Sequence, residues 1–163
     1  MNTEYGEHWN LRAPETTVRS TGLHKERAMA HLNPYISFRT NARDAMEFYR
    51  ETLGGKLVVT TFEDFPDMVP DPSERTLVMH AQLTTDDDLV LMASDTPSGM
   101  PYTAPTGISV SLTSPDADEL RRVWTGLSDG GTVTIPFDRA PWGSLFGMFT
   151  DRFGIAWMIA SDG

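Results

Sequence analysis

Trp142-Gly143-Ser144-Leu145-Phe146-Gly147-Met148-Phe149-Thr150-Asp151-Arg152-Phe153-Gly154-Ile155-Ala156-Trp157 is the stretch that decides the fold of this chain. Ser144–Thr150 and Ile155–Ala160 read as strands, and Asp151-Arg152-Phe153-Gly154 reads as the tight turn between them, Gly154 supplying the permissive backbone. The result is a hairpin with a bulky residue at almost every position. Because side chains alternate along a strand, Ile155, Trp157 and Ile159 share one face and Ala156, Met158 and Ala160 the other. The heavier set faces the core, which makes Trp157 a structural residue.

Working back from the hairpin, the same order of elements occurs twice. Tyr35-Ile36-Ser37-Phe38-Arg39 is a short strand, Asn41 is a helix cap with Asp44 in the first turn, and Ala45, Phe48, Tyr49 and Leu53 recur at helical spacing until Gly54-Gly55. Lys56–Phe62 is β-branched and strand-like, Glu63–Glu74 is an acidic, Pro-containing loop, and Thr76–Thr84 with Leu89–Ser94 makes a hairpin around Asp86-Asp87-Asp88. After a Pro/Gly/Ser-rich linker, strand Gly107–Leu112 is followed by a cap at Ser114 with Pro115 opening the helix. That helix runs to about Leu127, and Gly130-Gly131 and strand Thr132–Phe137 come next. Asn41 and Ser114 lie 73 residues apart, and Gly54 and Gly130 lie 76 apart. The repeat predicts two β-α-β-β-β modules, residues 31–95 and 106–161 with linker 96–105. It defines an α+β domain of two curved mixed sheets, each with a helix on its convex face and its concave face free. Ile108, Val110 and Leu112 are expected in the core and Ser109, Ser111 and Thr113 on the cavity side.

The 163 residues suit one domain, and the absence of cysteine excludes disulfides, thiolate zinc sites and cysteine nucleophiles. No apolar run reaches the roughly 18 residues of a membrane helix and no secretory signal opens the chain, so a cytoplasmic protein without a membrane partner is expected. A net charge of −10 argues against a nucleic-acid partner. Residues 1–30 show no periodicity and are read as a tail, or as an arm anchored through Tyr5, Trp9 and Leu11. The Glu63–Asp67 and Asp86–Asp88 clusters lack calcium-loop spacing and are read as solvated loops.

The pattern W-G-x-x-F-G-x-x-x-D-x-F-G-x-x-W in Trp142–Trp157 resembles the closing hairpin of PhnB-like proteins, a branch of the vicinal oxygen chelate superfamily of glyoxalases, bleomycin-resistance proteins and dioxygenases. The resemblance covers residues 31–161 and implies the glyoxalase/bleomycin-resistance-like fold, two curved sheets around a cavity, and a homodimer. Metal-dependent members enclose a divalent cation with a His or carboxylate from each of four concave strand positions. Those positions fall here at Pro34, Met92, Gly107 and Met158, which cannot bind a hard cation. No metal site is therefore expected, and with no glycine-rich nucleotide turn no cofactor either.

The polar candidates lie in Val78-Met79-His80-Ala81-Gln82. The period of two puts His80 and Gln82 with Val78 on the cavity side, where His80 is the candidate general base or hydrogen-bond donor. Trp142 is placed to roof the cavity, with Met92, Phe146, Met148 and Met158 as walls and Ser109 as a further polar orienter. Three readings follow. One is a metal-free module that binds a small molecule. The second is an isomerase, lyase or dioxygenase using His80 or a relocated metal, and the third a structural or regulatory dimer whose own side chains fill the cavity.

Overall fold

Gly54 and Gly55, at φ 77° and 89°, stop the first helix and turn the chain into the next strand. Gly55 has a second constraint, since a Cβ there would lie 2.2 Å from the Thr84 carbonyl oxygen. The computed structural model describes residues 30–161, so the expected tail falls almost wholly outside the described residues. The first module is β1 (Tyr35–Phe38), α1 (Ala42–Leu53), β2 (Lys56–Thr61), β3 (Val78–Thr84) and β4 (Val90–Asp95). The second is β5 (Val110–Ser114), α2 (Ala117–Ser128), β6 (Thr132–Arg139), β7 (Leu145–Thr150) and β8 (Ala156–Ser161). Two four-stranded mixed sheets result, ordered β1-β4-β3-β2 and β5-β8-β7-β6. In each, the first strand pairs in parallel with the last and the other pairs are antiparallel.

Several local expectations are corrected. Asn41 stands at the cap position of α1 but its side chain caps nothing. The Ala42 amide instead donates to Asp95 at 2.8 Å, and the other oxygen of Asp95 accepts from Val78 N–H at 2.8 Å. One buried carboxylate thus ties the end of β4 to the helix start and to β3. The cap of α2 is Asp116, not Ser114, because Asp116 accepts from the amides of Asp118 and Glu119 while Ser114 bonds Glu119 and the Asp116 amide. Val78 is buried rather than beside His80 on the open face, since a register shift at Thr60/Thr61 breaks the alternation there. Ile108 is 73% exposed, because the strand starts only at Val110, beyond the turn at Gly107. The Glu63–Glu74 loop winds through three short 3₁₀ turns and is pinned by buried Phe62 and Val69. Within it, the Ser73 amide and hydroxyl hold the Asp71 carboxyl below its usual range.

From Leu32 onward the chain forms one unit in which the helix-covered faces of both sheets share a single core. Close contact between the helices depends on Gly126, where a Cβ would come within 2.5 Å of the Thr52 methyl. Arg122 then reaches the Thr52 carbonyl at 2.6 Å. Ile155, Trp157 and Ile159 are buried as the hairpin pattern requires. Trp157 meets Tyr49 of α1 edge to face, at 5.4 Å between ring centroids.

Asp151 closes this junction. It is 4% exposed and accepts hydrogen bonds from Tyr49 Oη at 2.7 Å, Trp157 Nε1 at 2.9 Å, Phe153 N at 2.8 Å and Ile155 N at 3.0 Å. Burial, followed by the neighbouring Asp151 charge, pushes the Tyr49 hydroxyl well above its ordinary range, so it stays a donor. Replacing Tyr49 by Phe should cost about 1.5–3 kcal/mol at neutral pH, the range for a hydrogen bond to a charged group, in denaturant titration. A raised tyrosine contributes stability that is complete below the unfolded value of about 10 and is lost as pH rises toward the folded value. Above about pH 10 the native protein should therefore lose about 1.4 kcal/mol per pH unit more than the Tyr49→Phe variant. Parallel curves for the two proteins would contradict the assignment.

Candidate functional site

Since one face of each sheet is buried in the shared core, the other face of each is open, and the open faces lie on the outer sides of the pair. On the first sheet, Tyr35, Met92, Gln82 and Val58 stand in register across the four strands. In the next row Ser37 pairs with Ser94 and His80 with Thr60, and the β3–β4 register continued one step beyond Ala81↔Ala93 sets His80 beside Ser94. The His80 ring stacks on Tyr35 at 5.8 Å and 29°, with the Tyr35 hydroxyl 3.4 Å from Nδ1. Gln82 Nε2 donates to Thr84 Oγ1 at 3.2 Å. This face carries Ser94, His80, Gln82 and Met92 on its two central strands and Tyr35 and Val58 on its edge strands.

The open face of the second sheet differs in chemistry. Ser111, Met158, Met148 and Ile135 form one row, and Thr113, Ala160, Phe146 and Asp138 the next. Trp142, 68% exposed on the loop between β6 and β7, sets its ring edge to face on Phe146 at 5.4 Å. Gly147 keeps β7 in place from behind, because Trp124 and Phe137 stack at 5.3 Å on the covered side and leave no room for a side chain.

The structure therefore divides the expected site residues. His80, Gln82 and Met92 lie together on the first sheet, and Trp142, Phe146, Met148 and Met158 lie together on the second. Ser109 stands ahead of β5 rather than within it. The sheet partners of Met92 and Met158 are Tyr35 and Ser111, so these residues, and not Pro34 and Gly107, complete the four strand positions. A phenol, a hydroxyl and two thioethers do not make a site for a hard divalent cation. Among the described residues no three His, Asp or Glu side chains converge as a metal site. Two clefts border these faces. One of about 380 Å³ runs beside the free edge of β5, lined by Leu53, Leu91, Val110, Leu112 and Trp157 among others. Another of about 300 Å³ opens at the end of β1 and β4, between Ser37, Ser94, Thr96, Tyr102 and Thr103. Sequence reasoning missed Tyr35 as the partner of His80; its position opposite Met92 follows from the β1–β4 register, which no local pattern reveals.

The profile of the Glyoxalase/Bleomycin resistance protein/Dioxygenase superfamily matches residues 29–159, and the chain belongs to that superfamily. Protein YjdN of Escherichia coli (strain K12) is 30% identical over 138 residues, covering 78% of this chain and 92% of YjdN. The crystal structure of protein PA1353 from Pseudomonas aeruginosa is similar with a TM-score of 0.73 and 37% identity, over 82% of this chain and 98% of that one. A PhnB protein from Bacillus cereus shares the fold, with a TM-score of 0.67 at 21% identity, over 82% of this chain and all of its own. No helix among the described residues is long and apolar enough to cross a membrane.

A Cβ at Gly147 would lie 2.6 Å from the Trp124 ring and 2.8 Å from Phe137 Cα. Gly147→Ala should therefore cost about 1–3 kcal/mol through overpacking. Gly99→Ala, with nothing within 4 Å, should be close to neutral. Equal melting temperatures for the two variants would contradict the packing described behind Phe146 and Met148.

Proposed function

We propose that this protein is a metal-free small-molecule-binding member of its superfamily and acts as a homodimer. The ligand is held between the first-sheet face of one copy and the second-sheet face of its partner. The observation that carries this reading is the pair of open, chemically unlike faces on the outer sides of one chain. Neither face encloses a ligand alone, whereas small-molecule sites bury most of their ligand. Tyr35, Val58, Ile135 and Trp142 are all more than 40% exposed on these faces or beside them, a heavy apolar load for a monomer's surface. A two-fold assembly would cover both faces at once and shelter the free edges of β1 and β5. In this reading His80 and Gln82 orient the ligand, and Met92, Met148, Met158, Phe146 and Trp142 form its apolar walls.

A second reading, an enzyme using His80 for proton transfer, draws support from one feature. Tyr35 meets Nδ1 and stacks on the ring, which leaves Nε2 as the nitrogen free to meet a ligand. The reading in which the protein's own side chains fill the cavity loses ground, because Trp142 and Tyr35 stand exposed.

Light scattering should give twice the 18.1 kDa of one chain. Elemental analysis of protein purified without added metal should find less than about a tenth of an equivalent per chain. Added divalent metals should not raise the melting temperature, although a specific site at 100 Kd would contribute about 2.7 kcal/mol. Stoichiometric zinc, nickel, iron or manganese would overturn the metal-free reading, and a monomer would overturn the shared pocket.

A further inference from the structure

We infer that the polar row of the first sheet, together with the cleft at its end, is a subsite for a neutral, polyhydroxylated ligand group of the sugar or polyol class. This rests on the reading of that face as a ligand surface. The row carries hydroxyl, hydroxyl, imidazole and hydroxyl on four adjacent strands: Ser37, Ser94, His80 and Thr60. Ser37 and Ser94 also line the 300 Å³ cleft, where the chain adds Thr96, Tyr102 and Thr103. Side-chain hydroxyls both donate and accept, as the hydroxyls of a polyol do, so such a surface matches that ligand in either direction of each bond.

The charges beside the site point the same way. Arg39, next to the cleft, turns its guanidinium to the Thr96 and Met100 carbonyls, each at 3.3 Å, and lies 5.9 Å from the Tyr102 ring centre. It thereby braces the strap of residues 96–103 that borders the cleft. Asp95 is part of the cleft wall, and its two oxygens already accept the Ala42 and Val78 amides. Lys56 is four residues from Thr60 along β2, about 13 Å at strand spacing. A chain of net charge −10 adds a field that disfavours anions. Both ionic groups at the cleft are thus engaged with the backbone, Arg39 with two carbonyls and Asp95 with two amides, and the row itself offers neutral hydroxyls. Tyr35, about half exposed at the edge of the row, and Tyr102 give flat apolar surfaces for the C–H face of a ring.

The test uses the full chain carrying ¹³C-methyl methionine, with Met92 reporting on the first sheet and Met148 and Met158 on the second. Three probes share one aryl ring: phenyl β-D-glucoside, phenyl phosphate and anisole. The glucoside should bind at least about tenfold more tightly than the phosphate. Ser37→Ala and Ser94→Ala should each weaken the glucoside about three- to tenfold, the effect of one lost hydrogen bond, and leave anisole unchanged. Ser98→Ala, on the strap outside the row, is the control that should change nothing. If the phosphate binds as well as the glucoside, or if the serine variants do not weaken it, the neutral-subsite inference fails while anisole binding keeps the pocket itself. If no probe shifts any of the three methyl signals, the inference fails and the proposed small-molecule pocket fails with it.

Discussion

The buried carboxylate of Asp151 is the constraint on which the arrangement depends. Removing a charge from water costs several kcal/mol even after relaxation, and among the described residues no Lys or Arg forms a salt bridge with this one. Four donors compensate for that loss: a tyrosine hydroxyl, an indole N–H and two amides of its own turn. Two of the donors are local and shape the β7–β8 turn. The other two belong to α1 and β8, so the same carboxylate that folds the hairpin also fixes the first module against the second. Neighbouring Arg152 pairs outward with Asp129, which leaves Asp151 to the neutral donors.

With the covered faces locked together around Tyr49 and Trp157, the open faces have one place to go. They look outward, the first combining hydroxyls, imidazole and amide with Tyr35, Met92 and Val58, the second richer in methionine and aromatic rings. The repeat thus produced two copies of one architecture with different surface chemistry. In the proposed dimer the second copy of the chain would bring these walls together, and a ligand held there would meet both.

Much of this was legible in the sequence because it is set by local pattern. The Gly-Gly pairs, the alternation in Ile155–Ala160 and the recurrence of helix and strand signals gave both modules, both helices and the burial of Trp157. What escaped was set by pairing at a distance. Asp95 caps α1 from 53 residues away, whereas a local reading assigns the cap to Asn41, adjacent in sequence. The β2–β3 register shift that buries Val78 has no mark in Val78-Met79-His80. Asp151 reads in sequence as a turn residue, and its bond to Tyr49 spans 102 positions. The period of two says which residues share a face but not what covers that face. His80, Gln82 and the three methionines were therefore found as surface sets, whereas their division between two outward faces, and the contact of Tyr35 with His80, needed the structure.

The most direct test of the shared pocket exploits the lack of cysteine in the chain. Met92→Cys protein and Met158→Cys protein, each prepared separately, are mixed under conditions that allow subunits to exchange and are treated with a short bismaleimide. The account predicts a covalent dimer containing one chain of each kind, because the first-sheet face of one copy meets the second-sheet face of the other. A mixture that yields no interchain product, while a chain carrying both substitutions cross-links within itself, would contradict it.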